Sequence, residues 1–128
     1  MGKSGMTVMV VDDIANNVAI AGQVVKRMGH RLIEARSGEE ALEKFLAEPP
    51  DMILMDVMMP GIGGLEATRR IRQAAGSRWL PILMVTASNE EATLTGAFDV
   101  GAIDYIIKPD KAIDLVARVG SALRLKRE

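Results

Sequence analysis

Carboxylates, a hydroxyl and an ammonium group follow directly on short apolar runs in this sequence. Asp12 and Asp13 come after residues 6–11, Asp56 after 51–55, Thr86 after 81–85 and Lys108 after 104–107. Gathered in one place, three carboxylates disfavour one another's ionisation unless a divalent cation or a lysine joins them. A donor set of oxygen alone suits Mg²⁺ or Mn²⁺ rather than zinc. A carboxylate can also attack phosphorus and carry the phosphoryl group as an aspartyl phosphate. Phosphoryl transfer needs positioning and positive charge on the equatorial oxygens, and Lys108, the Thr86 hydroxyl and a bound cation are groups of that kind. The plainer reading is that an Asp at a strand end caps the next helix, as Asp13 could. Capping alone does not call for three acids, a threonine and a lysine behind four different apolar runs.

The elements that must position these residues alternate strictly. Residues 6–11 are β-branched, continuous and too short for a helix, which predicts a buried strand. Ile14, Val18, Gly22, Val25 and Met28 then recur at helical spacing, and Gly29 is a stop signal. Residues 31–35 read as a weaker second strand. Ser37 and Glu40 have capping-box spacing ahead of a helix carrying Ala41, Leu42, Phe45 and Leu46, which Pro49 and Pro50 end. A third strand at 51–55 leads into a loop over 56–64 and a helix carrying Leu65, Thr68, Ile71 and Ala75. The fourth strand, 81–85, opens on Pro81, where proline is tolerated. A fourth helix over 88–100, a fifth strand over 104–107 and a fifth helix capped by Asp110 complete the pattern. Alternation of this kind predicts an α/β fold: a three-layer, doubly wound, five-stranded parallel sheet of order 2-1-3-4-5 with five helices. Its ligand site lies beyond the carboxyl ends of the strands, at the switch point between strands 1 and 3.

Composition narrows the chemistry further. The 128 residues carry 16 basic and 17 acidic side chains, a formal charge of −1, where a nucleic-acid binder shows a basic excess. Aromatic residues make up only 3%, too few for base-stacking platforms. With no cysteine, thiolate catalysis, disulfides and cysteine-based metal centres are excluded. The uncharged stretch 79–89 is far short of the roughly 20 residues that span a bilayer, and the first residues lack a signal-peptide core. The expectation is a cytoplasmic protein, with residues 1–5 an appended or disordered leader and 6–126 a single domain.

At the acids and their neighbours the sequence resembles the receiver domain of two-component response regulators. The matching segments are Val10-Val11-Asp12-Asp13, Leu54-Met55-Asp56-Val57-Met58-Met59-Pro60-Gly61, Val85-Thr86-Ala87 and Gly101-Ala102-Ile103-Asp104-Tyr105-Ile106-Ile107-Lys108-Pro109, in the family's order and spacing. The resemblance implies a phosphorylatable receiver in His-Asp signal transduction, a switch rather than a turnover enzyme. Asp56 is then the phosphoacceptor. Asp12 and Asp13 hold Mg²⁺, Asp13 directly and Asp12 often through water, with Asp56 and the Met58 backbone carbonyl as further ligands. Thr86 hydrogen-bonds the phosphoryl group, Lys108 pairs with it, and Tyr105 changes rotamer as Thr86 moves. Lys108-Pro109 is implied to be a cis peptide. The implied partners are a sensor histidine kinase or phosphotransfer protein, and a downstream effector or output domain that reads the fourth helix, fifth strand and fifth helix. That surface could also serve a homodimer; no direct nucleic-acid or membrane contact is implied.

Finer expectations follow. Met58 and Ser88 flank the site at positions that tune dephosphorylation in the family, and Met58 offers no acid or amide to orient water, so moderate to slow self-hydrolysis is expected. Thr93, Thr95 and Gly96 give the fourth helix poor intrinsic propensity, so it is expected to be the least stable. The final helix resembles receivers that continue into an output domain. Gly2-Lys3-Ser4 lacks the earlier glycine and the strand of a phosphate-binding loop. His30 falls at a turn and is expected at the surface. The rival functions are a pseudo-receiver acting only as an interaction module, an aspartate-nucleophile phosphatase and a flavin-binding fold. Adjacent rather than alternate acids after the first strand argue against the phosphatase, and the shortage of aromatics argues against flavin.

Overall fold

A computed structural model describes residues 5–86, 104–107 and Gly120. The elements run β1 (Thr7–Val11), α1 (Ala15–Arg27), β2 (Arg31–Ala35), α2 (Gly38–Ala47), β3 (Met52–Asp56), α3 (Gly63–Ala75), β4 (Ile82–Thr86) and β5 (Asp104–Ile107). All ladders are parallel, in the order β2-β1-β3-β4-β5. The expected fourth helix lies outside the described residues, and of the expected fifth only Gly120, which is helical, falls within them.

Strand alternation sorts the core into two layers. Met9, Val11, Ile53, Met55, Ile82 and Met84 pack with Ala41 and Phe45 of α2 and Ala67 and Ile71 of α3. Val8, Val10, Met52, Leu54 and Leu83 pack on the other face with Val18 and Val25 of α1. Every residue of β3 is buried, as a central parallel strand covered on both faces requires. Four methionines, Met9, Met52, Met55 and Met84, are completely buried, so methionine serves here as core filler. In the α2–α3 layer the Thr68 hydroxyl donates to Met84 Sδ at 3.5 Å, which gives a fully buried polar group a partner.

Several boundaries differ from the sequence pattern by one residue, and the ladder explains them. Asp56 is the last residue of β3 and not the first of a loop, because its Cα pairs with Val85 and the next N–H, of Val57, donates to Val85 O at 3.0 Å. Thr86 likewise closes β4. Gly63 and Gly64, expected in the loop, form the first turn of α3. Ser37 caps α2 as expected, its Oγ accepting the Glu40 N–H at 3.0 Å, but the return arm from Glu40 goes to the Arg36 N–H at 2.7 Å. His30 is half-buried, not a surface residue, and its Nδ1 accepts the Met6 N–H at 3.1 Å.

The open edge of the sheet, β2, is guarded by charge. Arg31 donates its N–H inward to Met6 O, so Leu32 and Glu34 turn their main-chain groups outward. Lys44 donates to the Glu34 carbonyl, and Arg31 pairs with Glu48 beside it. Lysine and ion pairs along an edge strand discourage pairing with another chain.

On α3, Glu66 pairs with both Arg69 and Arg70, at 2.5 and 2.8 Å. Hydrogen bonds from Arg69 and then Arg70 hold its carboxyl below the usual 4.5, at about 2. A depressed acid contributes stability above its unfolded-state pKa and loses it as pH falls through the folded value. The Glu66 contribution is therefore present above about pH 4.5 and fades toward pH 2. An NMR titration of the side-chain carboxyl is expected to show a midpoint near 2 in the native chain and near the ordinary value in an Arg69→Gln, Arg70→Gln variant.

Candidate acidic metal site

Asp12 leaves β1 with its N–H donating to Ala35 O at 3.1 Å, which ties the end of β1 to the end of β2. Its Oδ1 accepts the Ile14 N–H at 3.0 Å, and the side chain is 5% exposed. Asp13 is half-buried and does not cap α1. The cap position is Ile14, with no side-chain cap bond, and the local turn is closed by Asp12 instead. The Asp13 carbonyl accepts from Arg36 Nη2 at 2.9 Å. Asp56, at the end of the fully buried central strand, is 4% exposed.

One carboxylate oxygen from each of Asp12, Asp13 and Asp56 lies within 4.8 Å of the others. At that separation two ionised carboxylates repel by about 3–4 kcal/mol at an effective dielectric constant near 20, before solvent screening. Fold and topology thus concentrate negative charge at the switch point between β1 and β3. The donor set is all oxygen, which fits a hard divalent cation and not zinc or a thiophilic metal.

Gly64 seats the first turn of α3 directly on the strand that carries Asp56. Its N–H donates to Val57 O at 3.0 Å, and a Cβ at this position would lie 2.0 Å from the Asp56 carbonyl oxygen. Only glycine lets helix and strand approach so closely.

The sequence matches the family of response regulator receiver domains over residues 8–120. The chain belongs to that family. Among relatives of this receiver, the transcriptional regulatory protein ResD of Bacillus subtilis is 39% identical over 117 residues, 91% of this chain and 48% of ResD. The phosphate regulon transcriptional regulatory protein PhoB of Pseudomonas aeruginosa is 36% identical over 120 residues, 94% of this chain and 52% of PhoB. The chain therefore spans about half the length of the curated relatives it matches. In three dimensions the receiver superimposes on the chemotaxis protein CheY4 of Vibrio cholerae with a TM-score of 0.87 at 26% identity, covering 93% of this chain and 99% of that one.

The structure of this receiver brings Asp12, Asp13 and Asp56 together. Met58 lies in the segment between β3 and α3 and is 68% exposed. Thr86 closes β4, its Cα paired with Ile107, and Tyr105 on β5 pairs with Met84. The side chains of Thr86 and Tyr105, and the whole of Lys108, Ser88 and Pro109, lie outside what is described. Among the described residues no helix is long and apolar enough to cross a membrane. Two contacts were not legible as site features. Arg36 has no pattern of its own between a strand and a cap, and Gly64 reads as a loop residue until its approach to Asp56 is seen.

Proposed function

We propose that this receiver accepts a phosphoryl group on Asp56 from a phosphohistidine partner in a Mg²⁺-dependent reaction, and signals through the change in charge. The observation that carries the reading is the convergence of three carboxylates at the carboxyl edge of the sheet, one of them on the buried central strand. Asp12, Asp13, Asp56 and the Met58 carbonyl would hold the cation, and Mn²⁺ has the chemistry to substitute. When bound, the cation supplies charge neutralisation for the carboxylates and for the phosphoryl oxygens.

The chain's own residues do the rest. An Asp56 carboxylate oxygen attacks phosphorus in line, the phosphorus–nitrogen bond of the donor breaks, and the imidazole leaves with the electron pair. Lys108 balances charge on the phosphoryl oxygens, and the Thr86 hydroxyl donates a hydrogen bond to one of them. The product brings nearly two negative charges and three acceptor oxygens to the rim. Thr86 moves toward that group, Tyr105 follows, and the surface of the fourth helix, β5 and the fifth helix shifts its population. An effector, an output domain or a second copy reads that surface. The kinase partner is a sensor histidine kinase or a phosphotransfer protein, and the chain acts in the cytoplasm as a switch and not as a turnover enzyme.

An acyl phosphate is cleaved by hydroxylamine, and a phosphoserine or phosphothreonine is not. Protein labelled with a small phosphodonor is expected to lose its label at once in neutral hydroxylamine. Without hydroxylamine, after removal of the phosphodonor with Mg²⁺ kept, the label is expected to persist for minutes or longer, because Met58 orients no water. Hydroxylamine-stable label contradicts the assignment to Asp56; loss within seconds contradicts the role given to Met58.

A further inference from the structure

Arg36 stands between β2 and the Ser37 cap of α2, outside the acidic trio yet bonded to it. Its guanidinium donates to the main-chain carbonyl of Asp13 at 2.9 Å. Its own N–H is held by Glu40 at 2.7 Å, and Glu40 also pairs with Lys44 at 3.0 Å. The preceding residue, Ala35, accepts the Asp12 N–H at 3.1 Å. Two consecutive residues at the end of β2 therefore clasp the two consecutive acids at the end of β1, one through its main chain and one through its side chain.

The two acids differ in what else fixes them. The Asp12 carboxylate is oriented by the Ile14 N–H. Among the described residues no hydrogen bond or ion pair reaches the Asp13 carboxylate, so its placement depends on the loop that carries it. Among the described residues, Arg36 provides the side-chain bond that ties that loop on the Asp13 side.

We propose that Arg36 is a positioning residue for the cation site: by holding the Asp13 carbonyl it keeps the Asp13 carboxylate beside Asp12 and Asp56, and so sets how much divalent cation the site needs. This rests on the cation-dependent reading above. Two effects of the guanidinium oppose each other, and the sign of the result separates them. A positive charge near the site repels a cation, so deleting it would tighten binding if charge alone acted. Removing an outer-shell contact that orients a ligand instead weakens metal sites, typically by 10–100-fold. Arg36 is exposed, where solvent and salt screen the Coulomb effect, so positioning governs. The contact is a single bond to main chain, which places the effect at the low end, about tenfold.

The test compares the native chain with Arg36→Met, which keeps the stem without donors, and Arg36→Lys, which keeps a donor and the charge. Titration calorimetry with Mg²⁺ and with Mn²⁺ gives the affinities of the unphosphorylated protein. Labelling by acetyl phosphate gives the Mg²⁺ concentration for half-maximal rate and the plateau rate. Arg36→Met is expected to raise Kd and the half-maximal concentration together, by about tenfold, with the plateau unchanged and faster exchange of the Ile14 amide. Arg36→Lys is expected to recover most of the loss. A Kd for Arg36→Met equal to or below the native value overturns the proposal, as does a lower plateau at unchanged Kd. A native chain that binds no divalent cation overturns the cation-dependent reading along with it; native binding that Arg36→Met leaves untouched removes the role of Arg36 alone.

Discussion

Replacing Gly64 by alanine is expected to cost about 3 kcal/mol or more of stability, although the position is helical. At an open helix position the same change stabilises by about 1 kcal/mol, since alanine is the better helix former. Here the new Cβ would stand 2.0 Å from the Asp56 carbonyl oxygen and 2.8 Å from Val57 Cα. Both are main-chain atoms, so no rotamer change relieves the contact. Asp56 is held in register with Val85, and the neighbouring Met55 pairs with Val11 and Met84. Either α3 moves outward or the end of the central strand does, and the second displaces a site residue. Overpacking usually costs about 1–3 kcal/mol, and a clash between two main chains belongs at or above the top of that range. Against a total of about 5–15 kcal/mol this is a large fraction. Gly29→Ala is the control. Gly29 follows the end of α1 with φ of 87° and nothing within 4 Å of its would-be Cβ, so only the positive-φ backbone is penalised, by about 1–2 kcal/mol. Urea titrations followed by circular dichroism measure both. Equal losses at the two positions would show that the approach of α3 to Asp56 does not matter.

The second large effect couples the acidic trio to folding. A cation that binds only the native state stabilises it by about 2.7 kcal/mol when present at 100 times its Kd, or roughly 10 °C in melting temperature for a domain of this size. Asp13→Asn is expected to abolish nearly all of that Mg²⁺-dependent shift. Without the ion the sign reverses. Neutralising Asp13 removes both repulsive pairs in which it takes part, so the metal-free variant is expected to melt higher than the metal-free native chain, by about 1 kcal/mol once solvent screening of a half-exposed group is allowed for. Thermal melts with Mg²⁺ and with a chelator give all four numbers. An Asp13→Asn protein that is less stable than native in chelator, and still gains stability from Mg²⁺, would contradict the account of the trio as a strained cation site.

Much of this was legible in the residues because local pattern and tertiary fold agree. The apolar runs ending in Asp13, Asp56 and Thr86 are too short for helices, and their alternation with amphipathic stretches leaves few arrangements other than a doubly wound sheet. The Ser37 cap was readable because its hydrogen bond is local. What was not readable depends on partners distant in sequence. The ladder from Val57 to Val85 decides that Asp56 lies inside its strand. The helix start at Gly63–Gly64 runs against propensity and is imposed by the approach to Asp56. Asp13 could have been a cap, and only the bond from Ile14 to Asp12 shows that it is free of that duty. Arg36 reaches across 23 residues to the Asp13 carbonyl, and no spacing rule announces such a contact.

The most direct measurement is the intact mass of the chain after incubation with acetyl phosphate and Mg²⁺, beside an Asp56→Asn variant and a sample in chelator. One added phosphoryl group on the native chain, absent from the variant and from the chelated sample, is the expected result. No adduct on the native chain, together with no binding of beryllofluoride, would contradict the switch and leave a receiver fold that acts only as an interaction module.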